Sequence, residues 1–222
     1  MKSTWSNRFK RLFDNNFRIP EFTQWRESNF SSPVPKILKL EVLKRWGGLS
    51  VWIETGTFKG DTTLALSKFS SHVYTIEPDF SLYSQSSNRL KAIENVTVIH
   101  GLSEEILIGV LNRLVLEEVR DISFYLDGHF SGGITHKGPI DTPIREELSL
   151  IGQQLKYFQE VTVLIDDVRC FNPENPENSD YPSLKFLVDW SVNLDLYWTI
   201  EYDIFIATNR KNRPYLPRHS IN

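Results

Sequence analysis

What most limits the possible folds of this chain is a repeated alternation. Short apolar runs at about residues 50–54, 72–76, 96–99, 122–126 and 161–165 read as strands. Between them lie segments with helical spacing: about 61–69, Phe80 to Leu90, a stretch from near Ser103, Ile144 to Phe158, and about 183–192. Ile144, Leu148, Ile151, Leu155 and Phe158 make the clearest of these helices, with Thr142 as its cap and Pro143 as its first residue. The segment from Phe80 is less regular, because Ser87 interrupts its apolar face. Leu196–Ile200 and Ile204–Thr208 then follow with only Glu201, Tyr202 and Asp203 between them. That gap is too short for a parallel crossover, so these two strands must pair antiparallel. The expected fold is α/β: a doubly wound, mostly parallel seven-stranded sheet with an antiparallel C-terminal hairpin.

The totals agree with a single α/β domain. The chain has 222 residues, 40% hydrophobic and 24% charged, the balance of an ordinary globular protein. A formal net charge of −3 argues against a nucleic-acid partner, which would call for a basic excess. Cys170, the sole cysteine, excludes an intrachain disulfide and reads as a small thiol near a loop. No apolar run is long enough for a membrane span, and Met1 to Lys10 lacks the core of a signal peptide, so a cytoplasmic protein is expected.

Residues 1–35 are expected to form a helical extension, 36–208 the main domain and 209–222 a polar tail. In the extension Trp5, Phe9, Leu12 and Phe13 keep helical spacing among Arg8, Lys10 and Arg11. Such a helix packs on its own domain or on a second copy in a homo-oligomer, with a membrane surface as the alternative. Ser31 to Pro35 breaks the chain, and Ile37 to Trp46 reads as a helix ended by Gly47-Gly48.

Right-handed crossovers bring the carboxyl ends of the parallel strands to one rim, and that rim collects Glu54, Glu77, Asp127, Asp166 and Asp167. After the first strand, Gly56 and Gly60 allow a sharp turn that can lie close against a ligand. Glu77, about 20 residues beyond Glu54, ends the second strand, where a carboxylate can accept from both hydroxyls of a ribose. A nicotinamide cofactor would use similar parts. However, the turn has only two of the three fingerprint glycines, and Glu54 and Asp61 flank it with negative charge where a pyrophosphate needs bare N–H groups. An adenosine ligand with a cationic centre and no phosphate fits better.

Glu54-Thr55-Gly56-Thr57-Phe58-Lys59-Gly60, Ile76-Glu77-Pro78 and the closing hairpin resemble the class I S-adenosylmethionine-dependent methyltransferases, over roughly residues 36 to 208. Tyr125-Leu126-Asp127-Gly128-His129 and Leu164-Ile165-Asp166-Asp167 further resemble the metal-dependent O-methyltransferases acting on antibiotic sugars, of the macrocin O-methyltransferase type. The resemblance implies a Rossmann-like methyltransferase fold that binds S-adenosylmethionine. Gly56, Thr57 and Gly60 would lie at its methionine part, Glu54 would meet its ammonium, Glu77 would hold the ribose, and Ser103 would edge the adenine unless it caps the next helix. Asp127, Asp166 and Asp167 would hold Mg²⁺, provided the fifth strand stops and the backbone turns at the adjacent pair. His129, or Asp127, would take the proton; His129 read alone is equally an ordinary loop histidine. Phe58 and Lys59 depart from the small residues common in this turn.

The activity implied is Mg²⁺-assisted methyl transfer to a hydroxyl of a small acceptor. Its alternative is a catalytically inactive methyltransferase-like binding or assembly subunit, and a third reading is a nucleotide-dependent oxidoreductase.

Overall fold

The computed structural model describes residues 20–48, 50–128 and 142–214. Two expectations fall outside them: the helix carrying Trp5, Phe9, Leu12 and Phe13, and the placement of His129. In chain order the described elements are α1 (Pro20–Glu27), α2 (Lys36–Gly47), β1 (Val51–Thr55), α3 (Asp61–Leu66), β2 (His72–Glu77), α4 (Phe80–Leu90) and β3 (Val96–His100). They continue with α5 (Ser103–Leu116), β4 (Asp121–Leu126), α6 (Ile144–Gln154), β5 (Glu160–Ile165), α7 (Leu184–Asn193), β6 (Tyr197–Glu201) and β7 (Ile204–Thr208).

The seven strands form one sheet in the order β3-β2-β1-β4-β5-β7-β6. β1 to β5 pair parallel, whereas β7 runs antiparallel to both β5 and β6. The hairpin therefore slots its second strand inward, next to β5. Order reverses at β1: β2 lies on one side and β4 on the other. A crevice opens at such a switch point, beyond the carboxyl ends of the strands.

Neighbouring strand residues face opposite ways, and the core divides accordingly. Ile53, Tyr74, Phe124, Val163 and Phe205 join α5, α6 and α7 on one face. Trp52, Val73, Tyr125, Leu164 and Ile206 join Val42, Leu43 and Trp46 of α2 and Leu66 of α3 on the other. Both faces are apolar because both are covered, which is why these strands read as continuous apolar runs.

Two helices are shorter than their periodicity suggests. α3 stops at Leu66, where the Ser67 and Ser70 hydroxyls donate to the Leu64 and Leu66 carbonyls. α6 ends at Gln154 and tightens into a 3₁₀ turn over Leu155–Tyr157, with Phe158 still buried. Thr142 accepts weakly from the Ile144 amide at 3.4 Å, the bond expected of a cap, although the regular helix begins at Ile144, one residue later than expected.

Before the main domain, Trp25 packs with Val34 and Leu38, donates from its indole to the Ser32 carbonyl at 2.7 Å, and meets Tyr202 edge-on at 5.9 Å. Residues 20–35 thus lie against the β6–β7 turn. Among the described residues no helix is long and apolar enough to cross a membrane.

Candidate active site at the carboxyl rim

β1 runs directly into the first part of the rim. Glu54 is 1% exposed, and its Oε2 accepts from Thr63 at 2.5 Å and Thr75 at 2.7 Å. Its Oε1 is buried and has no hydrogen-bond partner among the described residues. Burial chiefly, with a contribution from nearby Asp127, raises its pKa to about 7; the Thr63 and Thr75 hydroxyls and Lys39 oppose the rise. A carboxylate in this condition gains from any cation delivered to its free oxygen.

The turn after β1 shows why its glycines stand where they do. Gly56 has φ of +85°, and a Cβ there would sit 2.5 Å from the Asp127 carbonyl oxygen. Gly60, also at positive φ, packs against Leu90, where a Cβ would come within 2.8 Å of the side chain. Gly56 therefore lets β4 approach β1 at the switch point, and Gly60 lets the turn settle on α4. Phe58 takes a left-handed φ of 49° without being glycine. Thr57 turns inward, its hydroxyl 2.6 Å from that of Thr75, so only its backbone faces the crevice.

Glu77 fixes this turn from below. Its Oε2 accepts the Phe58 amide at 2.7 Å and its Oε1 the Asp79 amide at 3.0 Å. Asp61 does not act as a bare charge beside the turn, because Lys36 lies 3.0 Å and Arg89 2.6 Å from its carboxylate. The electrostatic objection to a phosphate there rests on Glu54 alone.

Ser103 is buried at the start of α5 and makes no capping bond. Its hydroxyl instead lies between Glu104, 3.4 Å away, and the buried carboxylate of Glu147. Glu147 is a site residue that no motif in the sequence marks. It projects from the first turn of α6, is 1% exposed, and has an Oε1 without a hydrogen-bond partner among the described residues. Burial, opposed by the nearby Ser103 and Thr55 hydroxyls, raises its pKa to about 7.

The second part of the rim is the acidic group. One carboxylate oxygen each from Asp127, Asp166 and Asp167 lies within 4.8 Å of the others. β5 ends at Ile165 and Asp167 is left-handed, φ 58°, so the backbone turns and the adjacent pair reaches a common space. The Tyr125 hydroxyl lies 2.7 Å from Asp166 Oδ2 and 3.0 Å from Asp127 Oδ2. Burial and the two aspartates hold its pKa well above normal, so it remains a donor. Arg169 bonds to Asp167 at 2.6 Å and also pairs with Asp203.

Lys39, from α2, completes the group. Its ammonium pairs with Asp166 Oδ2 and lies 3.8 Å from Asp127 Oδ2. Burial works against its charge, but Asp127, Asp166 and Asp167 outweigh it and hold the lysine pKa above its usual value. One sequence signal would have found both Lys39 and Glu147. Each charge lies on the apolar stripe of its helix, Lys39 in register with Val42, Leu43 and Trp46, and Glu147 with Ile144 and Ile151. A charge on the buried stripe requires a buried partner or a ligand.

The three acids fit a hard divalent cation in donor chemistry and spacing, and Asp166 Oδ1 is buried without a hydrogen-bond partner among the described residues. Cys170 is half-buried and burial pushes its thiol up to about 11, away from the thiolate form at neutral pH.

Strand order, antiparallel insertion and an acid-tipped rim together define the class I methyltransferase fold. Solved structures bear this out. The chain is similar to the O-methyltransferase TomG from Streptomyces achromogenes, involved in tomaymycin synthesis and solved with S-adenosylmethionine. The identity is 18% and the TM-score 0.52, over 83% of this chain and 84% of that one. It is also similar to an O-methyltransferase from Bacillus cereus solved with S-adenosylhomocysteine, at 15% identity and TM-score 0.51, over 87% of this chain and 92% of that one. No protein-family profile and no curated protein sequence matches the chain.

Proposed function

We propose that this protein is an S-adenosylmethionine-dependent O-methyltransferase for a small hydroxylated acceptor, assisted by Mg²⁺ and working in the cytoplasm. The observation that carries the reading is the buried Oε1 of Glu54 at the switch point, unpartnered among the described residues, beside a glycine turn and within the same rim as three clustered aspartates. Glu54 would accept from the cofactor's ammonium and Glu77 from its ribose. The backbone at Gly56, Thr57 and Gly60 would line the methionine part, with Ser103 at the adenine edge. Bound S-adenosylmethionine supplies an electrophilic methyl group on a sulfonium.

Asp127, Asp166 and Asp167 would hold the divalent ion. The ion supplies positive charge that orients the acceptor and lowers the pKa of its hydroxyl. His129, two residues beyond Asp127, would take the hydroxyl proton, with Asp127 as the alternative base. The protein's contribution is then to align acceptor oxygen, methyl group and sulfonium, and to remove a proton. A net charge of −3 favours a small acceptor over a nucleic acid.

The reading is tested by transfer of an isotope-labelled methyl group from S-adenosylmethionine to a panel of hydroxylated sugars and phenols, with Mg²⁺ or chelator. Metal-stimulated labelling of a hydroxyl is expected. Failure to bind S-adenosylmethionine or S-adenosylhomocysteine by calorimetry overturns it.

A further inference from the structure

The ammonium of Lys39 sits on two of the three aspartates that a divalent ion would use. α2 is locked to the sheet by Val42, Leu43 and Trp46, all essentially inaccessible, and this fixes where the lysine stem begins. The ammonium lies over the Tyr125 ring, 5.8 Å from its centroid, and pairs with Asp166 Oδ2. Asp127 Oδ2 is 3.8 Å away and Tyr125 donates into the same pair of oxygens. The Asp166 side chain is 1% exposed and that of Lys39 15%. A buried carboxylate group of this kind is stable only when a cation or protons balance it. Lys39 supplies the balance for Asp127 and Asp166, and Arg169 does so for Asp167.

The balance is incomplete in one respect. Asp166 Oδ1 is buried and has no hydrogen-bond partner among the described residues. One ammonium on Oδ2 leaves acceptor capacity that a multiply coordinated ion would use. An ion drawing on Asp127 and Asp166 would compete with the ammonium for Oδ2 of both, and the two cations repel at that range.

We infer that Lys39 is the built-in occupant of the three-aspartate site, and that a divalent ion loads only by displacing the Lys39 ammonium from Asp166. This rests on the proposed reading of the aspartates as an ion site. It has two consequences. The metal-free protein keeps its fold without chelatable ions, since Lys39 stands in for them. Affinity for the ion is lowered by the competition, so loading becomes sensitive to whatever else enters the rim.

The test is Mn²⁺ binding, measured by electron paramagnetic resonance, to the full chain and to Lys39→Gln. S-adenosylhomocysteine binding serves as the check that both are folded. Lys39→Gln is expected to bind Mn²⁺ at least tenfold more tightly than wild type, and its melting temperature should rise with Mn²⁺ far more than that of wild type. A second measurement needs no variant. Lys39 of the wild-type protein should resist an amine-acylating reagent without metal, and its labelling, read by peptide mass spectrometry, should rise severalfold with saturating Mn²⁺. Equal Mn²⁺ affinities with unchanged labelling would overturn the inference while leaving the ion site standing. If neither protein binds Mn²⁺ although both bind S-adenosylhomocysteine, the ion site falls and this inference with it.

Discussion

Glu147→Gln should stabilise the protein at alkaline pH and leave it nearly unchanged in acid. Glu147 is 1% exposed, with one oxygen unpartnered among the described residues, and burial raises its carboxyl from 4.5 to about 7. The folded protein therefore retains a proton between these values that the unfolded chain has already lost. Stability contributed by this group is full below about pH 4.5, declines as pH rises, and is gone above about 7. At about 1.4 kcal/mol per pH unit, the cost of folding around the ionised form at pH 8 is roughly 3 kcal/mol. Gln keeps the shape and cannot ionise. Urea titrations at pH 5 and pH 8 should give variant and wild type within about 1 kcal/mol of each other in acid. At pH 8 the variant should lead by about 2–3 kcal/mol, or roughly 4–12 °C in Tm. Glu54 carries a similar dependence in both proteins, so the difference isolates Glu147. An equal difference at the two pH values would refute the reasoning. So would a variant less stable at pH 8, which would mean that the carboxylate is ionised and paired.

Other perturbations separate the parts of the rim. Gly56→Ala forces a side chain into a left-handed position and toward the Asp127 carbonyl, so it should cost about 1–3 kcal/mol and weaken cofactor binding; an unchanged melt would dismiss the close-approach argument. Glu77→Ala should weaken S-adenosylhomocysteine by about 1.5–3 kcal/mol in calorimetry, and equal binding would remove Glu77 from the ribose. Chelator should abolish methyl transfer and Mg²⁺ restore it, Asp166→Asn should weaken Mn²⁺ binding, and His129→Ala should lower kcat with cofactor affinity nearly intact. Turnover that persists in chelator would leave proton removal to His129 without an ion.

The sheet was legible because each strand carries its own signal. Val51–Ile53, Val161–Ile165 and Ile204–Thr208 are apolar on both faces, and the three-residue gap before Ile204 leaves only an antiparallel return. The rim acids were legible for the same reason: an acid that ends an apolar strand must lie at the carboxyl edge. Helix ends were less so, because serine side-chain bonds decide where α3 stops. Lys39 and Glu147 escaped the sequence reading because their partners are remote. Lys39 meets an aspartate 127 residues away, and although its place on the apolar stripe marks it as buried, nothing local in the sequence says which acid it meets. Asp61 erred the other way, a bare charge in sequence that Lys36 and Arg89 neutralise in space.

The most direct measurement is a crystal structure of the protein with S-adenosylhomocysteine. It should place the cofactor's ammonium within hydrogen-bond reach of Glu54, its ribose hydroxyls on Glu77 and its thioether sulfur facing the three aspartates. Density for the ligand elsewhere, or none at the Glu54–Gly60 turn under saturating conditions, would contradict the account.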